Sequence, residues 1–104
     1  MTMPDARQHN KIDETIHQRT RLAIMASLAG VELLEFNELK ADLRLTDGNL
    51  STHLAALERA GYVTIHKTFK GKKPQTILSI STKGRAALTN YIKLLQDILD
   101  RAKE

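Results

Sequence analysis

A chain of 104 residues with a formal net charge of +4 and no cysteine has the size of a single domain. The lack of thiols excludes disulfides, thiolate metal sites and cysteine nucleophiles. No stretch reaches the ~18 consecutive apolar residues of a membrane span, and the opening MTMPDARQHN has no apolar run behind a basic start. The expected setting is cytoplasmic, with no membrane partner.

In chain order, residues 1–12 read as a flexible N-terminal tail, polar and marked by Pro4, and 13–104 as one domain. From Asp13 to Ala29 the apolar residues Ile16, Leu22, Ala23, Ile24, Met25 and Leu28 recur at helical spacing, with Gly30 as a stop. Asn37 is placed to cap a short helix over Glu38–Leu43. Arg44, Leu45 and Thr46 form a joint. Thr46 and Asp47 open a longer helix to about Ala60, and Gly61 closes it.

The period then changes. Tyr62, Val63, Ile65 and Phe69 lie in a β-rich run, Lys70-Gly71-Lys72-Lys73-Pro74 is turn chemistry, and Thr76–Ile80 reads as the returning strand. Pro74 removes one donor and fits an edge that must not pair further. Thr82 caps a last helix, about 82–102. The predicted class is α+β, mainly α: a three-helix core, a β-hairpin and a long C-terminal helix.

Charge follows this order. No acidic residue lies between Glu58 and Asp97, a window holding Arg59, Lys67, Lys70, Lys72, Lys73, Lys83, Arg85 and Lys93. All 12 acids share the rest of the chain with the other eight basic residues. A basic patch so placed is the electrostatic footprint of a polyanion-binding surface.

Two helices joined by a short turn, the second leading into a basic hairpin, form a helix-turn-helix with a wing. At 100° per residue Leu50, Leu54 and Leu57 converge on one side of the 46–60 helix. The other side collects Gly48, Asn49, Thr52, Ala55, Ala56 and Arg59. That side is small enough to sink into a major groove. Asn49 and Thr52 have the chemistry to read base edges. Thr46, Ser51, His53 and Arg59 are better placed for backbone oxygens, as are Lys67, Lys70, Lys72 and Lys73 on the wing.

The run Thr46–Val63 resembles the recognition helix of ArsR/MarR-type winged-helix regulators. It carries their Ser51-Thr52-His53-Leu54-Ala55-Ala56-Leu57 core pattern, followed by Ala60-Gly61-Tyr62-Val63. Ser79–Leu88 resembles their junction between the last strand and the last helix. The likeness covers most of residues 13–100 and is nearest to the small one-domain winged-helix DNA-binding members. It implies sequence-specific binding of double-stranded DNA by a homodimer acting on transcription, with Ser51, Thr52 and His53 at positions that approach DNA. Two features of such regulators are missing: a cysteine or clustered His/Asp metal site, and an Asp-x-Arg wing in place of Phe69–Gln75. No small-molecule effector is therefore assigned.

In the last helix Leu88, Ile92, Leu95 and Leu99 alternate spacings of four and three, with Tyr91 and Ile98 widening the stripe. A stripe that wide predicts a dimer interface, joined by Ile16. His9, His17, His53 and His66 show no metal-ligand spacing, so neither metal nor cofactor is expected. No acid/base pair stands near a glycine-rich loop or a nucleophile elbow, and no enzyme is expected. The competing function is a winged-helix protein-interaction module that binds an acidic partner. The small face of the 46–60 helix argues against it, because protein interfaces favour aromatic anchors.

Overall fold

The computed structural model describes residues 11–103, so the expected tail and His9 fall outside the described residues except at Lys11 and Ile12. The expected first helix from Asp13 is shorter than its periodicity suggested. The Asp13 carboxylate accepts from Thr15 N (2.9 Å) and Ile16 N (3.2 Å), which turns the chain locally and sends Ile16 into the core. Gln18 is then fully extended (φ −150°, ψ 132°) and caps α1, Arg19–Ala29, by accepting from Arg21 N. The carboxylate thus holds a turn of its own, and the helix starts six residues later than expected.

β1 is only Leu34–Glu35, too short for any period to reveal it, and it leads directly into α2, Phe36–Leu43. The cap expected at Asn37 is supplied instead by Glu35, whose carboxylate accepts from Asn37 N (2.8 Å) and Glu38 N (3.1 Å). An anion at that end is further stabilised by the helix dipole. α2 ends with Arg44 left-handed (φ 54°), Arg44 N bonding Ala41 O and Leu45 N bonding Lys40 O. α3, Asp47–Arg59, is capped by Thr46, which accepts from Asn49 N at 3.1 Å. It ends in the same bonding pattern: Gly61 (φ 81°) bonds Glu58 O and Tyr62 bonds Leu57 O. The second turn has the glycine such a conformation favours; the first holds an arginine there at a cost of about 1 kcal/mol.

β2, Val63–Lys70, and β3, Lys73–Ile80, pair antiparallel from Val63↔Ile80 to Lys70↔Lys73. The turn is therefore only Gly71-Lys72, not the five residues expected, with Gly71 at φ 65° as a tight two-residue hairpin requires. The sheet order is β1-β3-β2, so β3 is its middle strand. The expectation that Pro74 marks an edge holds only locally: β1 covers Ile77 and Leu78 and stops short of Pro74.

α4, Thr82–Ala102, is capped by Ser81 and not by Thr82; Ser81 Oγ accepts from Gly84 N and donates to Gly61 O (2.6 Å). Gly84 lets α4 seat against the α3–β2 corner, where an added Cβ would stand 2.1 Å from Tyr62 O. The core joins Ile24, Met25 and Leu28 of α1, Leu39 of α2, Leu50, Leu54 and Leu57 of α3, and Val63 and Leu78 of the sheet. Ile16, Leu88 and Tyr91 close it. Among the described residues the fold is a winged helix of four helices and a three-stranded antiparallel sheet. Among the described residues no helix is long and apolar enough to cross a membrane.

Candidate nucleic-acid interface

The leucines of α3 settle which of its sides faces out. Leu50, Leu54 and Leu57 are buried, while Asp47, Gly48, Asn49, Ser51, Thr52 and Arg59 are exposed and Ala55 and Ala56 half-buried. Nothing lies within 4 Å of the position a Cβ on Gly48 would take. The outward strip therefore keeps a low profile at the start of the helix, with the amide of Asn49 and the hydroxyl of Thr52 as its hydrogen-bonding groups.

Thr46 Oγ1 accepts from the backbone at Asn49, which leaves its own proton to donate outward. Ser51 lines a cleft of about 400 Å³ between α3 and the wing, shared with Asp47 and with Lys67, Pro74 and Thr76 of the hairpin. His53 is half-buried, and its Nδ1 lies 3.3 Å from Nη1 of Arg21. A guanidinium can only donate, so in this contact Nδ1 is the acceptor. Arg59 is exposed at the opposite end of the 13-residue helix from Thr46, about 20 Å away at 1.5 Å per residue, and does not join this cluster.

Lys67, Lys70, Lys72 and Lys73 are all exposed on the hairpin. Lys70 and Lys73 also border a hollow with Glu35, Asn37 and Glu38 at the start of α2. The ion pair found among the described residues is Lys40–Asp47, at 2.7 Å. It neutralises the one carboxylate in the first turn of α3, where a negative charge would repel a phosphate. Sequence reasoning passed over Lys40, which lies outside the basic window, and Arg21, which reaches α3 from α1. The only signal for Lys40 was its spacing of seven residues from Asp47 across the turn.

The expected dimer residues divide. Ile16, Leu88 and Tyr91 are buried in the protomer's own core. The Tyr91 hydroxyl also lies 2.8 Å from Nδ1 of the exposed His17. The burial of these three leaves them little surface to offer a partner, because the first half of α4 is the half that seats on the body. Leu95 and Ile98 are half-buried, whereas Ile92 (48%) and Leu99 (57%) stand exposed. Among the described residues no three His, Asp or Glu side chains are grouped to hold a metal ion.

The joint between α3 and the wing is tied to the start of the chain. The Tyr62 hydroxyl donates to Asp13 Oδ2. This bond, then burial, then the carboxylate's charge push the phenol up to about 12. Lys83 Nζ lies 5.8 Å from the centroid of the same ring.

Residues 20–99 match the family model of the winged helix DNA-binding domain. An uncharacterized protein of Methanocaldococcus jannaschii is 49% identical over 72 residues, which are 69% of this chain and 78% of that protein. Among solved structures, the transcriptional regulator homologue protein from Pyrococcus horikoshii OT3 superposes with a TM-score of 0.84 at 27% identity, covering 90% of this chain and 95% of that one. HlyU from Vibrio cholerae N16961 superposes with a TM-score of 0.60 at 26% identity, covering 86% and 89%. The chain belongs to the winged-helix DNA-binding domain family, and its fold is that of solved transcriptional regulators.

Proposed function

We propose that the protein binds double-stranded DNA in a sequence-specific manner as a homodimer and represses transcription by occupying its operator. The observation that carries this is the exposed, low-profile side of α3, held out by three buried leucines beside a hairpin bearing four exposed lysines. On this reading α3 lies in the major groove, where Asn49 bonds adenine and Thr52 bonds a base or touches a thymine methyl. Thr46, Ser51 and His53 hold the phosphates beside the helix, and Arg59 holds them at its far end. Lys67, Lys70, Lys72 and Lys73 set the register on the neighbouring backbone.

The second half of α4 supplies the dimer contact through Ile92, Leu95, Ile98 and Leu99. Two recognition helices then address half-sites about one DNA turn apart. With four wing contacts from each protomer, the affinity for DNA should fall with salt at a log–log slope of roughly −7. A gel shift on mixed-sequence duplex at low and raised salt tests the reading. Binding that weakens along that slope supports it. No binding even at low salt would point to the acidic-protein partner instead.

A further inference from the structure

Phe69 is the exposed aromatic of this chain: 69% of its surface is open, whereas Phe36 and Tyr62 are half-buried and Tyr91 is buried. Strand alternation puts Val63, Ile65, Lys67 and Phe69 on one face of β2. Their partners Ile80, Leu78, Thr76 and Pro74 share that face. The first two rungs, Val63/Ile80 and Ile65/Leu78, cover the core. The last, Phe69/Pro74, overhangs it, an apolar rung at the tip of a ribbon carrying Lys67, Lys70, Lys72 and Lys73. From Ile65 to Phe69 the strand advances about 14 Å. Half a turn of B-DNA, the step from a major to the adjacent minor groove, is about 17 Å.

We propose that Phe69, backed by Pro74, is an apolar wedge that enters the minor groove beside the recognition site and opens a base step there. The inference rests on the DNA-binding reading above. Charge selects the occupant: a surface with lysines around an aromatic, in a stretch without any acid from Arg59 to Gln96, is complementary to a polyanion. An undistorted minor groove about 6 Å wide is too narrow for a two-stranded ribbon but admits the side chain at its tip. Insertion there kinks the duplex toward its major groove, closing that groove on α3, and costs least at flexible pyrimidine–purine steps. Lysines hold the ribbon down without regard to sequence, while the wedge adds a preference for deformable steps that no hydrogen bond reads.

The test uses the full chain and a duplex selected from a random library, carrying 2-aminopurine at successive steps of the flank and end labels that report bending. Wild-type protein should brighten the probe at one step and bend the duplex. Phe69→Ala should abolish both, weaken binding about tenfold at TA or CA flanks, and leave the salt slope unchanged. Phe69→Leu should restore part of the bend. Phe69 is exposed, so melting curves of the three proteins should coincide. Wild-type binding with a dark probe and straight duplex overturns the wedge while leaving the DNA-binding reading intact. So does a Phe69→Ala variant that bends DNA normally, loses affinity equally at every flank, or changes its self-association. Absence of any wild-type binding to DNA would overturn both.

Discussion

α3 and α4 are both amphipathic and leucine-striped, yet they leave opposite things on the surface. The stripe of α3 is wholly absorbed by the core, and what remains outside is glycine, small polar groups and half-buried alanines, with the charged residues Asp47, Glu58 and Arg59 at the two ends. The stripe of α4 is fully buried only as far as Tyr91; beyond it Leu95 packs half-buried against the core, and Ile92 and Leu99 remain outside. The side that packs gives the two helices the same role, which is to hold the domain together. Their functions differ through the side left over: one suits a groove in DNA, the other a second apolar surface.

The sharpest way to break the comparison is to cut each stripe. Leu54→Ala should lower the stability of the domain by about 3 kcal/mol, since a buried leucine leaves a cavity that collapses only in part. Urea unfolding of the dilute protein reads this directly, and Leu99→Ala should change it by less than about 0.5 kcal/mol. Equal losses would mean that α4 beyond Tyr91 is as much a part of the core as α3. A smaller effect on folding and a larger one on assembly are expected for Ile92→Glu with Leu99→Glu. Sedimentation equilibrium should show the wild type as a dimer and this variant as a monomer of unchanged helicity. A variant that stays dimeric would move the interface off this face.

The smallest expected effect concerns Tyr62, which joins the end of α3 to the wing. Its phenol is raised from 10 to about 12, chiefly by its bond to Asp13. A group whose folded pKa lies above the unfolded one contributes its stability in full below the unfolded value and loses it as pH rises through the folded one. The thermal midpoint of the wild type should therefore fall between pH 10 and 12 more steeply than that of Tyr62→Phe, which has no phenolic proton to lose. Parallel curves would remove this bond from the description of the joint.

Much of this was legible in the sequence, for reasons that differ by region. α3 could be read almost residue by residue, because thirteen positions with three leucines and a capping threonine leave one solution for which side goes in. The hairpin was legible from its alternation, but the turn shrank to Gly71-Lys72 because Lys70, Lys73 and Pro74 can all lie in extended backbone. β1 was invisible, being only two residues long and defined by its pairing with Ile77 and Leu78. The caps at Glu35 and Ser81 displaced the expected Asn37 and Thr82, and Gln18 caps a first helix for which the sequence suggested no cap. Several adjacent polar side chains could serve at a helix start, and tertiary packing chose among them. The division of the α4 stripe was also beyond the sequence, since periodicity shows that a face is apolar and not what covers it.

The most direct test of the central claim is selection of bound sequences from a random duplex library, run in parallel on four proteins. Relative to the wild type, Asn49→Ala and Thr52→Ala should each relax preference at particular bases, by about 1–3 kcal/mol per good contact. Lys72→Ala with Lys73→Ala should keep the central preferences, bind all sequences more weakly and flatten the salt slope of the dimer by roughly 3.5, about half of it. Unaltered preferences in the two α3 variants, or altered central preferences in the lysine variant, would contradict the assignment of reading to α3 and of holding to the wing.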